Sequence, residues 1–194
     1  MEARNLIPHN GKAVLYPHFF HPEEAQTFLE QLIDAVPWKQ EPIRIFGKEI
    51  MQPRLTCWYS DPGISYSYSG IRMDTRSWIQ PLLAIKERIE PVAGVKFTGA
   101  LLNFYRNGSD SMGWHRDNER ELGRNPTIGS VSFGANREFQ MRDHATKSEL
   151  ISIQLEHGSL LVMSGESQHF WQHRVPKANK LQIPRLNITF RVIS

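Results

Sequence analysis

A mostly β domain with helices packed against its outside is the fold class this sequence predicts. Three observations carry it. Short strand-like runs follow one another closely from Phe97 to the C-terminus, two helical repeats precede them, and no internal repeat, low-complexity tract or linker divides the chain. At 194 residues with 40% hydrophobic content, the chain is long enough for one well-buried core, and a single domain is expected.

The first twenty residues read as an extended arm. Pro22 suits a first helical turn, and Ala25, Phe28, Leu29, Leu32, Ile33 and Val36 recur at helical spacing until Pro37 stops them. A second helix is expected to begin near Trp78 to Pro81, to carry Leu82, Ile85 and Ile89, and to end before Gly94. Between them, residues 43–72 are rich in Tyr, Ile, Gly and Pro and read as hairpins with exposed loops. The later strands are expected at Phe97–Tyr105, Thr127–Phe133, Glu138–Met141, Leu150–Leu155, Ser159–Met163, His169–His173 and Leu186–Ile193. Together they argue for a sandwich or barrel.

Composition narrows the setting. The lone Cys57 cannot form an internal disulfide, which fits a reducing, intracellular location: cytoplasmic in a bacterium, nuclear in a eukaryote. No stretch has the apolar length of a membrane span, so no membrane partner is expected. A net charge of +3 and a pI near 9.1 permit a nucleic-acid partner without requiring one.

Two segments suggest chemistry. In Trp114-His115-Arg116-Asp117, an extended backbone would turn His115 and Asp117 to one side, because side chains alternate with a period of two. An imidazole and a carboxylate so placed can share a metal. One further histidine would complete a two-histidine, one-carboxylate triad with positions left open on Fe(II). His173 is the preferred third ligand, with His169 as rival and His157 less suited beside a turn at Gly158. In the second segment, Arg185, Asn187, Thr189 and Arg191 share one face of a strand, and Leu186, Ile188, Phe190 and Val192 share the other. An ordinary half-buried strand would leave the polar face wet. The α-carbons of Arg185 and Arg191 would lie about 20 Å apart. Guanidinium forks leaning inward from them would suit a short dicarboxylate, and Asn103 and Tyr105 share a face on another strand that would add hydrogen bonds.

Taken together these residues resemble the AlkB family of oxidative dealkylases. The resemblance spans residues 40–194 and includes Asn103-x-Tyr105, Trp114-His115-x-Asp117, Ser132-Phe133-Gly134-Ala135, His157-Gly158-Ser159-Leu160-Leu161-Val162-Met163 and Arg185-x-Asn187-x-Thr189-Phe190-Arg191. It implies a double-stranded β-helix, or jelly-roll, with flanking helices. An N-terminal extension with nucleotide-recognition elements would occupy residues 1–95, and the catalytic core 96–194. It implies Fe(II) held by His115, Asp117 and His173, with 2-oxoglutarate and O2 as cosubstrates. Arg185 would grip the distal carboxylate of 2-oxoglutarate and Arg191 would lie near the end bound to iron, with Asn103, Tyr105 and Asn187 in support.

Ile45-Phe46-Gly47-Lys48, Pro53-Arg54 and Tyr66-Ser67-Tyr68-Ser69-Gly70 are similar to a branch that includes a vertebrate duplex-DNA repair enzyme with a hydrophobic finger. Tyr68 stands where a phenylalanine is usual there, and Arg116 where a small residue is common. By this resemblance Phe46 is the finger, and Arg54, Tyr66, Tyr68, Ser69 and Glu119 contact substrate. Arg44, Lys48, Arg142, Lys147, Lys177 and Lys180 are further candidates for phosphate contacts. The implied reaction is oxidative demethylation of N1-methyladenine and N3-methylcytosine in duplex or single-stranded DNA by a monomer, releasing succinate, CO2 and formaldehyde. RNA demethylation or protein hydroxylation would use the same chemistry. A cupin-like binding module is the rival from another class, and the paired arginines argue against it, because metal storage needs no dicarboxylate clamp.

Overall fold

A computed structural model of the chain describes residues 4–45, 48–64, 67–68, 71–72 and 74–193. In chain order the elements are β1 (Lys12–Tyr16), α1 (Pro22–Ala35), β2 (Pro42–Ile45), β3 (Lys48–Met51), β4 (Leu55–Ser60), β5 (Ser67–Tyr68), β6 (Ile71–Arg72) and β7 (Thr75–Arg76). They continue with α2 (Gln80–Ala93), β8 (Gly99–Tyr105), β9 (Met112–His115), a 3-10 turn at Arg120–Leu122, β10 (Ile128–Gly134) and β11 (Arg137–Asp143). The last are β12 (Ile151–Leu155), β13 (Ser159–Ser164), α3 (Ser167–Phe170), β14 (Trp171–Val175) and β15 (Arg185–Arg191).

Two sheets face one another. The larger has the order β1-β13-β10-β15-β8-β4-β7 and the smaller β12-β11-β14-β9, with β2-β3 and β5-β6 as separate hairpins. This is the expected jelly-roll.

The far face of the larger sheet is covered by the helices. Proline at the start of α1 has no N–H to leave unsatisfied, and Val36 turns extended (ψ 124°) ahead of Pro37. α2 ends as expected at Gly94, which takes the left-handed conformation (φ 70°) and donates to Glu90 O. Phe28, Leu29 and Leu32 of α1 and Leu82, Ile85 and Ile89 of α2 share one buried cluster with Leu186, Ile188 and Phe190 of β15. A second cluster, with Phe139, Met141, Ile153, Leu161, Met163 and Trp171, fills the space between the sheets.

Four expectations change. The opening segment is no free arm: Lys12–Tyr16 pairs with β13 along the edge of the larger sheet. Within 43–72 the hairpins are present, but Leu55–Ser60 is a buried strand paired in full with β8. Ile33 in α1 is exposed rather than core-facing. The strand expected at His169–His173 begins only at Trp171, because Ser167–Phe170 forms one helical turn.

Candidate active site

β15 is buried along its whole length, which an ordinary strand of this pattern would not be. The helices cover Leu186, Ile188 and Phe190, while Arg185, Asn187, Thr189 and Arg191 line a cavity between the two sheets. The larger sheet also contributes Leu101, Asn103, Tyr105, Ser130 and Met163 to this cavity. The smaller sheet contributes Met112, His115, Phe139, His173 and Val175. Antiparallel register sets Arg185 opposite Tyr105 and Asn187 opposite Asn103.

At one end, His115, Asp117 and His173 offer ligand atoms that all lie within 4.8 Å of one another. His173 and His115 are direct partners across the β14–β9 pair, their ring centroids 4.1 Å apart. His115 Nδ1 lies 2.9 Å from Gly113 O. That contact makes Nδ1 the donor and leaves Nε2, 3.8 Å from Asp117 Oδ1, to face the centre.

Asp117 is 1% exposed. Its Oδ2 accepts from Arg191 Nη2 at 2.9 Å, and its backbone N–H donates to Gln168 Oε1 at 3.0 Å. Burial alone would raise its carboxyl pKa, but Arg191, His173 and His115 outweigh burial and hold it well below the usual range. Burial, then the neighbouring His115, pushes His173 down to about 3. Burial also lowers His115, against the pull of Asp117. At neutral pH the cluster is therefore one carboxylate and two neutral imidazoles, the protonation state a divalent metal needs.

At the other end, Arg185 is 1% exposed. Its Nη2 donates to Ser132 Oγ at 2.9 Å, while Nε and Nη1 have no hydrogen-bond partner among the described residues. Burial pulls its pKa down to about 10, so it stays charged at neutral pH.

The model for the 2OG-Fe(II) oxygenase superfamily matches residues 12–191. The chain is 44% identical over 192 residues to alpha-ketoglutarate-dependent dioxygenase alkB homolog 3 of Homo sapiens, covering 94% of this chain and 66% of that protein. It is 35% identical over 188 residues to DNA oxidative demethylase ALKBH2 of Homo sapiens, covering 92% of this chain and 72% of the relative. The chain belongs to the AlkB family of 2OG-Fe(II) oxygenases. It spans about two thirds of the length of the alkB homolog 3 proteins it matches. A solved structure described as that of OsALKBH1 superposes with a TM-score of 0.65 at 20% identity, over 92% of this chain and 97% of that one, a likeness of fold.

The residues present fit the groups an AlkB-family protein is expected to hold. Asp117 Oδ1 and His173 Nδ1 are buried without a hydrogen-bond partner among the described residues, which suits a cluster built around a cation. The free donors of Arg185 suit a carboxylate.

Asn103, Tyr105 and Asn187 line the cavity, and the supporting residues have partners within the protein as well. Asn187 spends its amide on Ser130 Oγ (2.9 Å) and Val131 O (3.0 Å), so it braces the wall that it lines. Asn103 Oδ1 accepts from Arg54 Nε at 2.7 Å. Arg54, expected among the substrate and phosphate contacts, is 4% exposed, and its charge acts on His115, so it lies beside Asn103 at the edge of the cavity. His169, the rival ligand, instead meets Arg124 O and Asn125 Oδ1 (3.2 Å). His157 Nδ1 accepts from Gly134 N–H at 2.8 Å. Glu119 is partly buried, and its carbonyl accepts from Leu122 N–H at 3.0 Å. Phe46, Tyr66 and Ser69 lie outside the described residues, as do the side chains of Arg44, Lys48 and Tyr68. Sequence reasoning missed Gln168 and the structural use of Arg54. Neither carries a periodic or spacing signal.

Proposed function

We propose that the chain is an Fe(II)- and 2-oxoglutarate-dependent dioxygenase that removes methyl groups from alkylated DNA bases of the N1-methyladenine and N3-methylcytosine type. Its products are succinate, CO2, formaldehyde and the restored base. The observation that carries this reading is one cavity with a His-Asp-His cluster at one end and an arginine fork with free donors at the other. The activities for which the relatives are named, DNA oxidative demethylase among them, support the choice of substrate.

When bound, iron with 2-oxoglutarate and O2 supplies the oxidising power for attack on a base methyl group. The chain's own residues do the rest. His115, Asp117 and His173 hold the metal, and Arg191 with Gln168 keeps the Asp117 carboxylate ionised and oriented. Arg185, steadied by Ser132, receives the distal carboxylate of 2-oxoglutarate. Leu101, Met112, Phe139, Met163 and Val175 give the cavity apolar walls that exclude water.

His115 is the most open of the three ligands, with 21% of its side chain exposed against 2% for Asp117, so substrate enters on its side. A paired base cannot reach this depth and must be flipped out, at a cost of a few kcal/mol that a lesion blocking pairing reduces. Phe46 then fills the vacated stack. Tyr66, Tyr68, Ser69 and Glu119 contact the extruded nucleotide. These roles rest on the family resemblance.

The test is mass spectrometry of oligonucleotides carrying N1-methyladenine or N3-methylcytosine, single-stranded and duplex, incubated with Fe(II), 2-oxoglutarate, ascorbate and air. Loss of one methyl mass that depends on 2-oxoglutarate is the expected result. Succinate formed without any such loss would move the substrate to RNA or protein.

A further inference from the structure

The outer face of the smaller sheet has a feature the reaction does not use. Along β14, Trp171, His173 and Val175 are buried, while Gln172 and Arg174 face outward. Along β11, Phe139 and Met141 point inward and Gln140 and Arg142 outward by the same alternation. Trp114 precedes the cavity-facing His115 on edge strand β9, so its ring lies on the outer face. The guanidinium carbons of Arg142 and Arg174 lie over that ring, 4.0 and 4.5 Å from its centroid.

Neutral groups orient these cations. Arg174 Nε donates to Gln140 Oε1 at 2.6 Å. Arg142 Nε and Nη2 donate to Gln172 Oε1 at 3.3 and 3.2 Å, and Lys147 Nζ reaches the same oxygen at 3.1 Å. Arg116, on the loop after β9, donates to His169 O at 3.0 Å. Among the described residues, none of Arg116, Arg142, Lys147 and Arg174 forms an ion pair. The nearby carboxylates hydrogen-bond to other groups, and only the charge of Glu138 reaches Arg174, across Gln140. Asp143 Oδ1 accepts from Thr146 N–H and Oγ–H, and Glu138 Oε1 accepts from Gln140 and Ser152. Two like charges held over one ring by glutamines, neither of them in a direct ion pair, make a prepared site for anions.

We propose that Arg142 and Arg174, stacked on Trp114, form a docking surface for the phosphodiester backbone of the substrate strand. This rests on the nucleic-acid reading above. The two guanidinium carbons lie within about 9 Å of each other, and one strand presents a charge about every 3.4 Å of helix axis, so neighbouring phosphates can engage both. Trp114 and His115 are adjacent on an edge strand and face opposite ways. A strand on this surface therefore lies one sheet thickness from the metal cluster and beside its open side.

The test is fluorescence anisotropy of an unmodified, labelled oligothymidylate against the full chain from about 50 to 200 mM NaCl. Combining Arg142→Gln with Arg174→Gln is expected to weaken binding roughly tenfold and to flatten the slope of log affinity against log salt by about 1.4, or about 0.7 for each phosphate left without its cation. The pair Arg142→Lys and Arg174→Lys should keep most of the slope, and Lys96→Gln, at an exposed lysine beyond α2, should leave it unchanged. An unchanged slope in the glutamine pair, an equal loss in the lysine pair, or an equal loss in Lys96→Gln would each overturn the proposal. Binding is read without turnover, so this outcome is separate from whether methylated bases are repaired. A flattened slope without demethylation would leave the docking surface standing and remove the repair reaction.

Discussion

Replacing Arg185 with methionine separates a ligand-binding arginine from a structural one. Its side chain is almost fully buried; Nη2 donates to Ser132 Oγ, and no acceptor among the described residues meets Nε or Nη1 at hydrogen-bond distance. Burial lowers its pKa from 12.5 to about 10, which is of order 3 kcal/mol against the charged form at 1.36 kcal/mol per unit. The buried guanidinium therefore carries a cost that a bound carboxylate relieves. A methionine of similar length removes that cost, and exchanging a buried charge for an apolar group is often neutral or stabilising. Truncating one partner of a buried charged pair costs about 2–5 kcal/mol, which is roughly 30- to several thousand-fold in affinity.

Arg185→Met should accordingly unfold at the wild-type temperature or higher, with its KM for 2-oxoglutarate raised at least about 30-fold. Mn(II) with N-oxalylglycine, an analogue of 2-oxoglutarate, is expected to raise the Tm of the wild type and not that of Arg185→Met. Calorimetry and succinate assays read both effects. Arg185 would instead be a strut for Ser132 if Tm fell by several degrees, at about 2–4 °C per kcal/mol for a chain of this size, while KM stayed unchanged.

Asp117→Ala should lower turnover by more than about 100-fold, beyond the usual cost of losing a supporting group. Turnover near the wild-type rate would refute the ligand assignment. Gln168→Ala removes the acceptor for the Asp117 N–H and should weaken Co(II) binding by roughly 10- to 100-fold, with Gln168→Glu restoring much of it. Gly134 sits at φ +85°, and a Cβ there would stand 2.5 Å from Pro184 O. Gly134→Ala should therefore destabilise by about 1–3 kcal/mol in thermal unfolding while leaving the KM for 2-oxoglutarate within about twofold. Phe46→Ala should reduce repair of duplex more than of single strands, and equal losses would remove the wedge.

Local physics was legible in the sequence. Pro22, Pro37 and Gly94 mark where backbone geometry permits or stops a helix, and the structure stops there too. The period-two pattern of Arg185–Arg191 separated a polar face from an apolar one, and His115-x-Asp117 announced, within three residues, an imidazole and a carboxylate that the structure brings together with His173. Periodicity reports which face a side chain is on. It says nothing of what lies opposite, and so it could not show that both faces of β15 are covered, one by helices and the other by the second sheet.

Only tertiary structure decided the partners. His173 rather than His169 completes the cluster because β14 pairs with β9 in the register that sets His173 against His115. Arg191 meets Asp117 across 74 residues of chain, and Arg54 meets Asn103 across 49. Arg54 reads as a surface cation by its charge alone. It is an internal brace because β4 lies beside β8 in the larger sheet, and a buried guanidinium there is stable only with an acceptor at hand. Strand pairing and register, which no local pattern encodes, thus set an arginine beside the predicted finger against Asn103 of the cavity wall.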